Sequence, residues 1–594
     1  MSNSKVLRSI AIAFIMVSFV VGQAQASQTT PPPSVPWVEN PLLNCRGSVG
    51  TGPIPFPVGG KSVTGGYSQE PDNIVPYYTQ MSYSIWVTQL TLEGLAEWNN
   101  KGNLVPALAV EIPTVKNHGI SADGLTITWH LRPCLYWSDG QPLTSADVKF
   151  TWESVMDPAN APFSRSGYDM ITSIDTPDST TVVLHFSELY PSWQTLFTQG
   201  PFNQGAILPK HILEGQTGLE SNAFIHWPTV SSGSWVITGW VAGVQMTLLP
   251  NPNFYKGRPI LDRIAIKFNF DGGTALAALL TGDIDWYPGF SEADIPAVGA
   301  HEPVIHLKVV PGADYFEHYF FNLGTTAGVG GQGKSDVDGF CPFKDVRVRK
   351  AIILGINRKG IVNTFFLGET NVPATLWPNS PWTNNKLKPE PYDPNKAKQL
   401  LNQAGYTPGL DGIRHGLCNG VDTKLSFNFE TTTKQLRVDM ALVVKSDLLK
   451  IGIEFNPIHL PAGVFFGSYA DGADMPHGNF DMAGYTTGFY LDPYTDNFLC
   501  STIPSVDNPG GVNYYHYCAP QLDALFAAVN ASVDPIARGK ALDAVQKYMY
   551  DNSLVVPMYV RMDVFGYRDR FVPGPFGSFS NMNWNSEVWK VKGK

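Results

Sequence analysis

At 594 residues the chain exceeds what one hydrophobic core organises, so two or three domains are expected. Hydrophobic residues are 43% and charged residues 15%, with a mean hydropathy of -0.08, which excludes both a disordered chain and a polytopic membrane protein. The formal net charge of -10 argues against nucleic acid or an anionic membrane surface as partner, and 47 prolines with 56 glycines point to a loop-rich α/β or α+β fold.

Lys5 and Arg8 precede an apolar run from Ile10 to Val21, and Ala24-Gln25-Ala26 supplies a small-x-small cleavage pattern. The run is too short for an ordinary membrane span, which needs about 20 residues. Residues 1–26 therefore read as a secretory signal peptide, with Ser27 starting the mature chain. The first cysteine is Cys45, so a lipid-anchored start is not expected. Residues 27–60 form a Pro/Gly-rich segment expected to carry little secondary structure.

Order is expected from Lys61, where a strand runs into a proline-punctuated loop. Ser82 to Glu97 has apolar residues at helical spacing and predicts a helix. Leu125 to Arg132 alternates apolar and polar residues as a half-buried strand does, and Trp137-Ser-Asp-Gly140 is a turn signal. Thr144 is placed to cap a helix, with Asp147 as its capping-box partner. Thr180 to Phe186 predicts a strand, and Tyr190 to Gln199 a helix.

Further on, Asp481 to Cys518 carries Tyr485, Phe489, Tyr490, Tyr494 and Phe498 among Gly, Thr and Asp-Pro turn residues. Rings on an irregular segment suit a cleft wall; the competing reading is a core strand followed by a disulfide-stapled loop. Six cysteines (Cys45, Cys134, Cys341, Cys418, Cys500, Cys518) show no CxxC spacing, which disfavours zinc or thioredoxin chemistry. Fifteen pairings are formally open. Local spacing favours Cys500–Cys518, and Cys45–Cys134 and Cys341–Cys418 follow by segment.

Several motifs are set aside on physical grounds. Gly328 to Ser335 matches GxxxxGK[ST], but Gly339 and Pro342 occupy the place where the phosphate-cradling helix should run. His301-Glu302 and His306 lack the i, i+4 spacing of a zincin, and Pro303 intervenes. No G-x-S-x-G occurs. Asp283 and Asp285 read as a turn rather than as glycosidase carboxylates. No catalytic residues, cofactor or metal site are assigned.

The block from Asp123 to Glu153 resembles the signature of family 5 extracellular solute-binding proteins of ABC importers, the family of periplasmic dipeptide, oligopeptide and nickel receptors. Asp123-Gly124, Leu131-Arg132, Asp139-Gly140, Pro142-Leu143-Thr144 and Asp147-Val148 match its pattern in order. Asn251 to Tyr255, Pro259 to Ile264, Gly282 to Asp285, Phe321-Asn322, Pro342 to Ile352 and Asp393 to Gly405 continue the resemblance along the mature chain. One departure is Gly233-Ser234-Trp235, where glycine–proline–tyrosine is usual.

The resemblance implies a two-lobed α/β periplasmic-binding-protein clamp of the large three-subdomain type (class II, cluster C-like). Lobe I would take residues 61–95, 201–311 and 556–594, with an inserted subdomain at 96–200; lobe II would take 312–555. His306 to Asp314 and Ser553 to Val564 are the expected hinge. Ser68, Glu70, Tyr83, Trp86 and Trp235 are assigned to the first ligand-binding wall, Tyr319 and Asn322 to the crossing. Tyr485, Thr486, Thr487, Phe489 and Tyr490 are assigned to the second wall. Peptide-binding members hold an ammonium with an aspartate a few residues before the Asp-Pro; Phe489 stands there, leaving Glu70 or Asp492 for the role. The implied protein is a monomeric periplasmic receptor, without enzyme activity, delivering a small solute to an ABC permease and ATPase complex at the inner membrane. The solute is a peptide or, since sugars stack on rings, an oligosaccharide; nickel chelates are a weaker reading. A secreted hydrolase is the alternative from another class.

Overall fold

The computed structural model describes residues 61–79, 81–200, 205–326, 335–469, 471–488, 493 and 496–593. Ten strands make the central sheet: β1 (Ser62–Gly66), β2 (Trp235–Val241), β3 (Gln245–Pro250), β4 (Arg263–Lys267), β5 (Trp286–Phe290), β6 (Ile305–Phe321), β7 (Ser426–Thr432), β8 (Glu454–Leu460), β9 (Met482–Gly488) and β10 (Val555–Arg568). Their spatial order is β8-β7-β9-β6-β10-β5-β1-β4-β3-β2. The two long strands β6 and β10 pair antiparallel and connect the two ends of the sheet. Their ladder breaks between the pairs Pro311↔Met562 and Phe316↔Val560. Proline lacks the N–H a ladder needs, so the interruption begins where the chemistry dictates.

Three large buried clusters flank this framework. One packs Tyr67 and Trp235 with Trp286 and Trp589 beneath β1 to β5 and the C-terminal segment. A second gathers Trp129, Trp137 and Trp193 around a three-stranded sheet of Thr126–His130, Thr181–Phe186 and Ile171–Asp178. The third packs Phe320, Phe427 and Phe455 with helices on β6 to β9. Each fully buried aromatic or aliphatic side chain contributes roughly 1.5–3 kcal/mol, so separate cores of this kind are each substantial. Gly65 is required in the first: a Cβ there would lie 2.2 Å from the Trp286 ring. No helix among the described residues is long and apolar enough to cross a membrane.

Local chemistry explains most element starts. The helix α1 (Ser82–Thr91) opens after an extended Met81. In α2 (Ser145–Met156), Thr144 accepts from the Ala146 N–H and Asp147 accepts from the Thr144 N–H at 2.8 Å, so aspartate completes the capping box. The later α3 (Gln435–Leu449) packs along β8.

Two predicted helices are corrected. The helix from Ser82 stops at Thr91 rather than Glu97, because the chain then extends into the strand Ala96–Trp98. Gly94 lies so close to neighbouring backbone that a Cβ would sit 2.5 Å from the Gly205 carbonyl oxygen. Tyr190 to Gln199 is not an α-helix. Trp193–Thr195 makes one 3-10 turn under Trp129, and Thr198–Gln199 pairs with Ala96 and Glu97. Tertiary pairing overrides local propensity at both places.

The Gly282–Asp285 turn is a structural tie. Asp285 is 2% exposed and accepts from the Thr64 N–H (2.9 Å) and from Arg570 Nε and Nη2 (2.6 and 2.8 Å). Asp283 pairs with Lys267 instead. Asp285→Ala is expected to cost about 3 kcal/mol, because it strands a buried N–H and unpairs Arg570. Urea denaturation reads this directly, and a loss below about 0.5 kcal/mol would remove the turn's structural role.

Cys341 bonds Cys418 with Cα atoms 6.1 Å apart, and Cys500 bonds Cys518 with Cα atoms 4.6 Å apart. Cys134 is also in a disulfide. Cys45, the signal segment and the Pro/Gly-rich segment lie outside the described residues, as do Gly328 to Lys334 of the phosphate-loop mimic.

Candidate functional site

Where the β6–β10 ladder is interrupted, a cavity of about 270 Å³ opens between α1, the two crossing strands and the C-terminal segment. Trp86, Tyr315, Arg561, Asp563, Phe565 and Asn581 line it. Arg561, Asp563 and Phe565 alternate along β10, so strand pleating sends all three to one face. Val310, paired opposite Asp563 on β6, lines the same cavity. This size admits one amino-acid-sized group rather than a long chain, and the mixture of rings with a few polar groups suits recognition.

The first wall is built from packed rings. Tyr83 lies 4.8 Å from Tyr67 and 5.0 Å from Trp86, centroid to centroid. Ser68 donates its hydroxyl to the Tyr83 oxygen at 2.8 Å. Asn583 donates to the Tyr67 oxygen (3.0 Å) and to the Trp86 carbonyl (2.8 Å), fixing the cluster from the C-terminal segment. Ser68, Tyr83 and Trp86 are thus brought together, all half-buried, with Trp86 reaching the cavity.

Four assignments are corrected. Trp235 is fully buried in the first core and its indole N–H donates to Ser586 at 2.9 Å, so it supports the wall from behind. Glu70 accepts from the Trp240 indole (2.6 Å) and the Gly243 N–H (2.8 Å), which commits both oxygens to the β2–β3 hairpin. Tyr319 is 1% exposed with its ring 4.4 Å from Phe429, a core residue. Asn322, also 1% exposed, donates to the Gly478 carbonyl at 2.8 Å and fixes a loop.

On the second wall, Tyr485, Thr486 and Thr487 lie on β9 opposite His318, Glu317 and Phe316 of β6. Tyr485 packs among His318, Phe320 and Phe466, directed into the third core rather than the cavity, a correction to its assignment. Thr487 is buried, so it too is corrected to a structural role. Thr486 is a polar linker: it donates to Glu317 (2.5 Å) and accepts from Arg437 (3.1 Å). For these described residues the core-strand reading of the stretch fits better than the cleft-wall reading. Phe489, Tyr490 and Asp492 lie outside the described residues.

The electrostatics at the crossing come from residues the motifs did not single out. Arg437 of α3 binds Glu317 through two bonds, 2.7 and 3.1 Å, with Glu317 almost fully buried. Arg561 pairs with Glu292 at 3.2 Å; burial is the largest influence on its pKa and lowers it, but Glu292, Tyr559 and Glu317 together raise it. Lys434 has its pKa lowered by burial and then by Arg561. Asp563 is pushed up to about 6 by burial, against the pull of Arg561. Its side chain is nonetheless solvent-exposed at the cavity surface, so water still reaches the carboxylate. Nearby His318, wholly buried and 3.0 Å from the Tyr515 oxygen, is lowered to about 3 by burial and is neutral at physiological pH. An arginine and an aspartate two apart in the middle of the strand VVPMYVRMDVFGYR, whose only other charge is its final Arg568, were the available signal for a polar face.

Comparison with known proteins agrees with this architecture. The family model for bacterial extracellular solute-binding proteins, family 5 Middle, matches residues 103–507. The chain is 28% identical to the oligopeptide-binding protein AppA of Bacillus subtilis over 513 residues, covering 84% of this chain and 86% of AppA. It is 25% identical to the nickel-binding periplasmic protein of Escherichia coli over 431 residues, 71% and 74% of the respective chains. The fold is similar to that of the ABC transporter substrate-binding protein CtaP from Listeria monocytogenes (TM-score 0.70, 19% identity, 90% of this chain and 99% of that one). The chain belongs to the bacterial extracellular solute-binding proteins of family 5.

Proposed function

We propose that this protein is the extracytoplasmic receptor of an ABC importer, capturing a peptide-like solute between two lobes and presenting it to a membrane permease. The carrying observation is the cavity at the strand crossing, bounded at once by α1, β6, β10 and the C-terminal segment. A ligand contacting elements on both sides of a crossing stabilises the closed arrangement, and the permease would recognise that state. Names of relatives support the solute class: AppA is an oligopeptide-binding protein, and Brucella homologues are putative ABC transporter peptide-binding proteins.

In this reading lobe I uses residues 61–95, 201–311 and 556–594 around an inserted subdomain at 96–200, and lobe II uses 312–555. The hinge is the interrupted ladder within His306–Asp314 and Ser553–Val564, where closure needs only a few backbone angles to change. Selection and presentation require no covalent step. The secretory leader read from residues 1–26 supports a periplasmic location, and the receptor is read as a monomer.

The ring cluster Tyr67, Tyr83 and Trp86 favours one second reading, an oligosaccharide stacked on that wall. Native mass spectrometry of freshly purified protein discriminates the two, since such a receptor retains ligand. A bound peptide mass is expected; a sugar mass would establish the second reading. Turnover of a peptide or glycan by the pure protein would overturn both.

A further inference from the structure

A second groove, of about 530 Å³, shares no lining residue with the cavity at the crossing. Tyr567, Phe571, Pro573, Pro575 and Phe576 make its apolar wall, and Asn100 and Lys308 add hydrogen-bond donors. The wall is held in place from the C-terminal segment. Phe571 and Val572 pair with Val591 and Lys590, and the Trp584 indole and the Asn585 amide both donate to the Pro575 carbonyl at 2.8 Å.

The chain upstream of β1 is tethered beside this groove at both ends. At one end, Arg570 donates to the Ser62 carbonyl at 3.0 Å, adjoins Phe571 of the wall, and accepts from the Lys592 N–H at 2.8 Å. The residues before Lys61 therefore start within one arginine side chain of the groove. At the other end, Cys134 is in a disulfide, while Cys341, Cys418, Cys500 and Cys518 pair with one another. With six cysteines in the sequence, Cys45 is the one cysteine of the chain left to partner Cys134. Arg132, two residues before Cys134, donates to the Ala107 carbonyl at 2.6 Å. The adjoining strand Leu104–Pro106 pairs with Ala96–Trp98, two residues short of Asn100 in the groove.

We infer that residues 53–58 dock in this groove as an intramolecular strap, tied by a Cys45–Cys134 bond at one end and by β1 at the other. Residues 46–60 reach at most about 50 Å, so the strap is short. Its sequence, Pro53-Ile-Pro-Phe-Pro-Val58, alternates proline with apolar residues. Each proline fixes φ and removes an N–H, which favours an extended left-handed helix with outward carbonyls and little entropy left to lose on docking. Grooves walled by rings recognise such segments, and Asn100 and Lys308 can donate to their carbonyls. The strap joins the inserted subdomain to the start of β1 and lies apart from the solute cavity. The inference does not depend on the receptor reading.

The test compares the full mature protein with a variant whose residues 53–58 are replaced by glycine and serine, keeping length and cysteines. Non-reducing digestion of wild type should give a fragment pair linking Cys45 to Cys134. Amide hydrogen exchange over residues 567–577 should be about 10-fold faster in the variant, because the groove is uncovered. A synthetic peptide of residues 51–60 should bind the variant and not wild type, whose groove is already filled. Should the replacement not fold, Phe56→Asp carries the same comparison. Equal exchange in wild type and a folded variant would overturn the inference, as would a digest without the Cys45–Cys134 pair. Equal peptide binding by both proteins would also overturn it and leave the groove to another partner. Protection of residues 567–577 that rises with protein concentration would assign the groove to a second copy instead.

Discussion

Arg437→Met is expected to lower unfolding stability by about 3–5 kcal/mol, a large share of what a domain has. Glu317 is 1% exposed at its side chain and Arg437 12%, and the two are joined by a bidentate contact. Removing the guanidinium leaves a carboxylate buried with, among the described residues, only Thr486 to donate to it. The loss should be much larger than for an exposed ion pair, which contributes about 0–1 kcal/mol. Glu317→Gln combined with Arg437→Met should recover part of it, because the uncompensated charge is then gone. Chemical denaturation of the three variants measures the coupling. A single-variant loss below about 1 kcal/mol would show that water or a shift of α3 solvates Glu317. The pair ties β6 just beyond its interruption to β9 and α3, so Arg437→Met should also loosen the second half of the sheet.

The second large effect concerns a buried group of unequal charge. Lys256 reaches Glu97 at 2.9 Å and Glu587 at 3.7 Å, while Glu93 is 5% exposed and its Oε2 has no hydrogen-bond partner among the described residues. Burial raises the pKa of both Glu93 and Glu97, against the pull of Lys256. For Lys256 burial works downward, and Glu97 and Glu93 outweigh it, so its pKa is raised. One ammonium cannot neutralise three carboxylates, and the excess is relieved by keeping a proton.

The folded-state pKa values of Glu93 and Glu97 lie above the unfolded value of 4.5. Their stabilising contribution is therefore complete below that value and is lost as pH rises through the folded values. Lys256→Met raises both carboxyls further. Its deficit should be greatest at alkaline pH, about 3 kcal/mol near pH 8, and should shrink toward pH 5. Glu93→Gln should do the opposite, gaining about 1 kcal/mol near pH 8 and little at pH 4. Denaturation curves at both pH values decide it; a Lys256→Met deficit independent of pH would sink the account. The cluster joins the strand Ala96–Trp98, the segment after β3 and the C-terminal segment, three parts distant in the chain.

What the chain states locally, it states well. The alternation in LTITWHLR becomes the strand Thr126–His130, and Thr144 with Asp147 becomes a complete capping box, since both need only neighbours a few residues away. The family was legible because its motifs are turns, caps and short runs fixed by local geometry.

Assignments that depended on which way a side chain faces fared differently. Trp235, Tyr319 and Asn322 are residue types suited to a ligand wall, yet each is buried, because partners far along the chain (Ser586, Phe429 and Gly478) claim them. Glu70 is claimed by a hairpin about 170 residues away. Conversely, Arg561 and Asp563 were read only as part of a hinge segment, and the pleat of β10 turns them toward a shared cavity with Trp86. By itself the sequence determined the family and the capped local elements, which follow from short-range chemistry. The tertiary structure alone decided which polar groups are already satisfied and which remain available to a ligand, because hydrogen bonds and ion pairs across hundreds of residues consume most of them.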